Sequence, residues 1–305
     1  MTMMSTSHAP NSPEVIGDFH PSHPGRFLSI DDTAAHPHSR EHQHMQMAEL
    51  KEEVLRAFIL ACSLEPLAEK PGCTTRTVDS SPGTRLEYFI ISAANSSWPI
   101  LALVERIDRN QGQPACIFDL AYQAQFRSNR NRHGGKVNYA QILMLFPIIT
   151  AQCLLLLEGQ SPRDVDLVLR RVGPAMQATT PADVEQLQRF VDLSRELSER
   201  HHQRLGTSRP QLFPQFSGVF SNVLDAMEAA DFSHTMMATE IQNGYPVSRQ
   251  IVAELRDHPK GIIPHSVRSY EKLLPQYGRH DIAADLIAVA FYLILIENPF
   301  AILFP

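Results

Sequence analysis

Apolar residues along most of this chain recur at three- and four-residue intervals, the spacing of one helix face. Leu50, Val54, Leu55, Phe58, Ile59 and Cys62 trace such a face, which predicts a helix from Met47 to about Leu67. Glu69-Lys70-Pro71-Gly72 ends it, because a proline disfavours helix for the residue before it and glycine permits a sharp turn. Leu86 to Ile107 reads as two helices, or one kinked near Trp98-Pro99, and Ile117 to Phe126 as a short one. Lys136 to Leu157 is different: apolar residues cover every side, as in a helix enclosed by other helices or by lipid. Gln141, Pro147, Thr150 and Gln152 interrupt the run, leaving it short of a clean membrane span of about 20 apolar residues. It is read as the central core helix.

Further along, Ser161-Pro162-Arg163-Asp164 and Thr180-Pro181-Ala182-Asp183 are helix starts, each with a hydroxyl cap and a proline in the first turn. Residues 203–218 read as a loop. A long helix is expected from Val219 to Gly244, a break at Tyr245-Pro246, a helix from Val247 to Leu255, and a last helix from Asp281 to Glu297. No stretch alternates long enough to predict a strand. The expected fold is all-α, a single multi-helix domain over residues 47–305 around the central apolar helix. Residues 1–46, rich in Ser, Pro and His with few large aliphatics, are expected to form a disordered tail.

Charge and composition narrow the function classes. The 305 residues carry a formal net charge of -6, which argues against a nucleic-acid partner, since proteins that track phosphates show a basic surplus. Cys62, Cys73, Cys116 and Cys153 stand far apart without a CxxC spacing and read as reduced thiols. The start of the chain lacks the pattern of a secretory signal, so cytoplasm is the expected compartment. Histidines of the tail, His8 to His44, either collect a transition metal or are incidental to a polar segment. Gly134-Gly135-Lys136 is no phosphate-cradling P-loop, because Asn129 and Val137 stand where that motif has its first glycine and its hydroxyl residue.

Several short pieces occur in a telling order: Glu65, Lys70-Pro71-Gly72 and Asp79; Leu86-Glu87-Tyr88-Phe89 with Ser92-Ala93; Lys136-Val137-Asn138-Tyr139-Ala140 running into leucines and Pro147; Thr180 with Asp183; Ala226-Met227, Ala238 and Asn243-Gly244-Tyr245. This order resembles the triphosphoribosyl-dephospho-CoA synthase family over roughly residues 50 to 300. The family's Asn-Thr-Asn-Leu-Gly run is matched by Asn138 alone, with Lys136 at its first Asn, Val137 at its Thr and Ala140 at its Gly. Its Arg-Asp pair falls at His234-Thr235, where Asp231 and His234, three apart on one helical face, are candidates to stand in. Family members carry a further Pro-Asp-Thr and Arg-Lys segment, beginning about where Asn298-Pro299 stands here.

The resemblance implies transfer of the triphosphoribosyl group of ATP to a hydroxyl of dephospho-CoA with release of adenine. Such a displacement passes through an oxocarbenium-like state that carboxylates stabilise, and the triphosphate calls for Mg2+ and basic groups. Matching positions make Glu65 and Asp79 the expected catalytic carboxylates and Mg2+ ligands. Lys70, Gly72, Lys136, Asn138 and Asp183 are the expected substrate contacts, with Lys70 on phosphate. Neither a nucleic acid nor a membrane is expected as partner, and the oligomeric state is open. The other reading is a diverged, non-catalytic relative that keeps the helical scaffold as a nucleotide-binding or protein-interaction module.

Overall fold

A computed structural model describes residues 37–79, 84–112, 116–132, 136–206, 216, 218–256, 258 and 261–304, with backbone only for 37–41. The tail histidines up to His36 lie outside the described residues. In chain order come α1 (Pro37–Leu64), a 3-10 turn (Glu65–Leu67), α2 (Leu86–Asn95), α3 (Ser97–Arg109), α4 (Phe118–Ser128), α5 (Tyr139–Leu157), α6 (Val165–Gln177) and α7 (Pro181–Arg204). They are followed by α8 (Val223–Glu228), α9 (Phe232–Gln242), α10 (Pro246–Leu255), α11 (Ile262–Tyr277) and α12 (His280–Glu297). Among the described residues there is no strand, so the all-α expectation holds.

The apolar run becomes α5, in which every residue but Leu154 and Leu157 is buried. It packs against α1, α3, α4, α6, α9 and α12. By length and composition it would cross a membrane, with a mean hydropathy of 2.1 over its most apolar window, but 89% of that window is buried in the protein. A core helix enclosed on all sides has the same pattern. The second enclosed helix is α12, against α1, α5, α10 and α11, and its residues 286–296 are all buried.

Some polar residues inside this core are paired with one another. Tyr292 donates to Gln152 Oε1 at 2.6 Å, and Gln152 Nε2 donates to Pro162 O at 3.0 Å. Pro147 lacks an N–H and so leaves the Leu143 carbonyl without its helical donor. One residue on, the buried Tyr245 hydroxyl donates to Met144 O at 2.6 Å. Tyr245→Phe should destabilise the fold by about 0.5–1.5 kcal/mol, the net worth of one such hydrogen bond. A urea midpoint unchanged from the parent protein would refute that role. Beside Tyr245, Gly244 at φ +68° lets α9 end against α6; a Cβ there would stand 3.0 Å from Leu169 O.

Four sequence expectations change. α1 starts at Pro37, so residues 37–46, expected in the tail, are helical; Gln43 Nε2 on Leu157 O (3.1 Å) and His44 Nδ1 on Asp108 Oδ2 (3.2 Å) hold these polar turns without an apolar face. Asp164, not Ser161, caps α6, its side chain accepting from Leu167 N at 3.0 Å. The long helix expected from Val219 to Gly244 is two, because Asp231 caps a fresh start at Phe232. Helix α11 was not expected at all. Its prolines, Pro264 and Pro275, look like breakers in the sequence, yet Pro264 sits in the first turn, where a missing N–H costs nothing, and Pro275 in the last.

Candidate active site

Four segments remote in sequence meet at one end of α5: the 3-10 turn with the Lys-Pro-Gly turn after it, the lead-in to α5, and the N-termini of α9 and α12. Each is held by particular bonds.

At the first, Lys70 is folded inward. Its ammonium lies 2.8 Å from Glu65 Oε1, with both side chains almost wholly buried. It also donates to Glu65 O and, at 3.3 Å, to Ala68 O. An ammonium has three protons, and all three are spent within the turn. Lys70, expected on phosphate, is thus the anchor of Glu65. The next two residues are pinned to α11 and α12: Tyr270 Oη donates to Pro71 O at 2.6 Å and is hydrogen-bonded to His280 Nδ1. Gly72, at φ +77°, lies against the His280 ring, and a Cβ on it would come within 2.6 Å of Nδ1. The family-like Lys-Pro-Gly sequence is needed here for an inward lysine and a glycine too crowded for any side chain.

The second segment is Lys136 to Tyr139. Asn138 takes the left-handed conformation, φ 56°, at the cap position of α5. Its Nδ2 donates to Phe89 O of α2 at 3.1 Å, while its Oδ1 is buried without a protein partner. A buried acceptor left open in this way costs stability. The Lys136 ammonium lies 4.8 Å from the centre of the Tyr139 ring. Burial lowers the Lys136 pKa, and Asp281, Asp285 and Asp231 pull it back up.

At α9, Asp231 Oδ1 accepts from His234 N at 3.1 Å and pairs with His234 Nδ1 at 2.9 Å. His234 Nε2 is 2.7 Å from the Tyr139 hydroxyl. Burial pushes the Asp231 carboxyl up, but the His234 contacts outweigh it and leave it below its ordinary value. At α12, Arg279 forks onto Asp281 (3.1 and 2.5 Å) and also donates to Ser233 of α9, tying the two helix starts together. Asp281 and Asp285 are one helical turn apart. Burial, then the charges of Asp281 and Glu65, drive the Asp285 carboxyl well above its usual range, against the pull of Lys136 and Arg279. Asp285 is nevertheless partly reached by solvent.

The assembly therefore joins carboxylates (Glu65, Asp281, Asp285, Asp231) to cations (Lys136, Arg279) at the N-termini of α5, α9 and α12. Helix N-termini present unbonded N–H groups and a partial positive charge, a setting that favours phosphate. Among the described residues, no group of three or more His, Cys, Asp and Glu is arranged to hold a metal ion by itself. A Mg2+ ion that travels with a polyphosphate needs only one or two carboxylates from the protein, and Asp281 and Asp285 are the pair that would offer them.

Of the residues expected from sequence, Glu65, Lys70, Gly72, Lys136 and Asn138 border this assembly. Two do not join it. Asp79, expected as a catalytic carboxylate and metal ligand, is exposed on the loop after the turn. Asp183, expected as a substrate contact, is fully buried elsewhere, and both its oxygens are saturated: Oδ1 accepts from Ile117 N (2.7 Å) and Phe118 N (3.0 Å), Oδ2 from the N and Oγ1 of Thr180 (3.0 Å each). It locks α7 to the start of α4. Arg279, Asp281, Asp285, Tyr139, Tyr270 and His280 were missed. A signal for two of them existed, since carboxylates four residues apart in an otherwise apolar helix are expensive to place there without a use.

Compared with known proteins, residues 51–266 match the family model CitG, described as ATP:dephospho-CoA triphosphoribosyl transferase. No curated protein and no solved structure matches the chain. The match includes Glu65, Lys70, Lys136, Asn138, Asp231 and His234 and stops short of Arg279, Asp281 and Asp285.

Proposed function

Since this chain belongs to the ATP:dephospho-CoA triphosphoribosyl transferase family, we propose that the polar assembly at the N-termini of α5, α9 and α12 binds ATP and moves its triphosphoribosyl group to dephospho-CoA. The observation that carries this reading is the convergence of Lys136 and Arg279 with Asp281, Asp285 and Glu65 around those helix starts. One end of the assembly suits polyphosphate, the other a positively charged ribose.

In this reading Lys136, Arg279 and the helix N–H groups hold the triphosphate. Asp281 and Asp285 would hold Mg2+ jointly with phosphate oxygens, and the ion would neutralise phosphate charge there. Glu65, ion-paired with Lys70 and 3% exposed, fixes the turn that borders the ribose end of the site. Asn138 Oδ1, the open acceptor, takes a hydrogen bond from a hydroxyl or amine of the nucleotide, not from phosphate, which has no proton to offer it. As the acceptor oxygen bonds to C1′, the C1′–N9 bond breaks and its electron pair leaves with adenine.

The test is direct. Purified protein with ATP, Mg2+ and dephospho-CoA should release free adenine, measured by chromatography. Lys136→Met should raise the KM for ATP at least tenfold, about 1.4 kcal/mol, with a smaller change in kcat. The same KM as the parent protein would remove Lys136 from the phosphate site. His234 at the position of the family's arginine keeps a second reading in play, a nucleotide-binding module without the reaction. An ATP-dependent rise in melting temperature with no adenine would select it; the absence of both would sink both.

A further inference from the structure

Asp231, His234 and Tyr139 form a buried line of hydrogen bonds whose direction is fixed by chemistry. An ionised carboxylate only accepts, so at 2.9 Å from Asp231 Oδ1 the His234 Nδ1 carries the proton. In the neutral imidazole Nε2 is then an acceptor, and at 2.7 Å the Tyr139 hydroxyl donates to it. The lone pairs on Tyr139 Oη are left to receive a proton from a third group. Neither ring can turn away: Tyr139 packs on Phe190 with centroids 4.8 Å apart, and Phe216 stands edge-on to His234 at 6.3 Å. Asp231 is itself fixed as the cap of α9.

Resting on the transferase reading, we propose that this Asp231–His234–Tyr139 line is the proton acceptor for the attacking hydroxyl of the acceptor nucleotide. Tyr139 would touch the substrate, with His234 and Asp231 as positioning residues behind it. While the acceptor oxygen forms its bond to C1′, its proton passes to Tyr139 Oη and the phenol proton passes to His234 Nε2. Adenine departs with the C1′–N9 electron pair and takes a proton from water, and the His234 imidazolium returns one, so protons balance over a turnover. Charged groups around the line are Lys136 on the α5 lead-in, and Arg279, Asp281 and Asp285 on α12. Burial and the Asp231 charge both disfavour a free Tyr139 phenolate, so the phenol relays the proton and does not store it.

The variants to make are Tyr139→Phe and His234→Asn. Adenine release by Tyr139→Phe should fall on the order of 10²–10⁴-fold in kcat, with the ATP-induced rise in melting temperature retained. His234→Asn should also flatten the acidic limb of the kcat/KM profile, which a purely structural residue would not do. Wild-type turnover in Tyr139→Phe would overturn the proposal and leave the transferase reading intact. If the parent protein itself releases no adenine, both fall together. Nitrogen-15 NMR gives an answer without turnover: His234 should be the Nδ1–H tautomer in the wild-type protein, and an Nε2–H tautomer would overturn the proposal whatever the activity.

Discussion

Lys70→Met is expected to cost about 3–5 kcal/mol of stability, the loss seen when one partner of a buried ion pair is removed and the other remains. Glu65 is only 3% exposed and Lys70 1%, so water cannot replace the ammonium around the carboxylate. The turn also loses the lysine bonds to Glu65 O and Ala68 O. For a domain of this size the melting temperature should drop by roughly 6–20 °C. The double variant Lys70→Met/Glu65→Gln should regain part of the loss, because no charge is then stranded; thermal and urea unfolding of the two variants measure the difference. A single-variant loss below about 1 kcal/mol would mean that the pair is hydrated in solution and not buried.

Raising the pH should weaken the fold through Glu240, and Glu240→Gln should remove that weakness. Glu240 is buried in α9, accepts from the N–H groups of Val247 and Ser248 at the start of α10, and has an Oε2 with no partner. Burial pushes its pKa from 4.5 up to about 7, against those two hydrogen bonds. Folded protein therefore keeps a proton that the unfolded chain has already shed. The stability from that proton is complete below pH about 4.5 and is lost as the pH rises through about 7. At pH 8 the ionised carboxylate costs roughly 3 kcal/mol, which the glutamine variant escapes while still accepting from the same two N–H groups. The variant should exceed the parent protein in urea midpoint at pH 8 and converge with it near pH 4.5. A constant difference at both pH values would assign the effect to packing. Asp285, also raised, keeps some of the slope in the variant.

What sequence could and could not reveal follows from the range of the forces involved. Helix α5 was legible because enclosure on all sides leaves an apolar residue at every angle, a property of the helix alone. The Thr180–Asp183 start was legible for the same reason, but not the use of Asp183, whose Oδ1 is claimed by Ile117 and Phe118 across a gap of more than sixty residues. Glu65 and Lys70 were singled out separately, as a catalytic carboxylate and a phosphate contact, and the structure pairs them with each other. That the lysine turns inward depends on the burial supplied by α2 and α12. The kink that divides α8 from α9 is local, yet Asp231 looks like any helix carboxylate until its bond to His234 N is seen. Of the site itself, the half carried by the α5 lead-in and the Lys-Pro-Gly turn was accessible through the family resemblance; the half carried by α12 was concealed by the apolar residues around its two acids.

The position of α12 has a consequence for the order of events during synthesis. It fills the gap between α1, α5, α10 and α11, and it carries Arg279, Asp281 and Asp285. Glu65 emerges from the ribosome early, yet its neighbours on α12 follow only after some two hundred further residues, so the long loop closure comes late. Until that helix docks, the nascent chain presents an open apolar trough along α1 and α5. On the transferase reading proposed above, nucleotide can protect the fold only once α12 is in place.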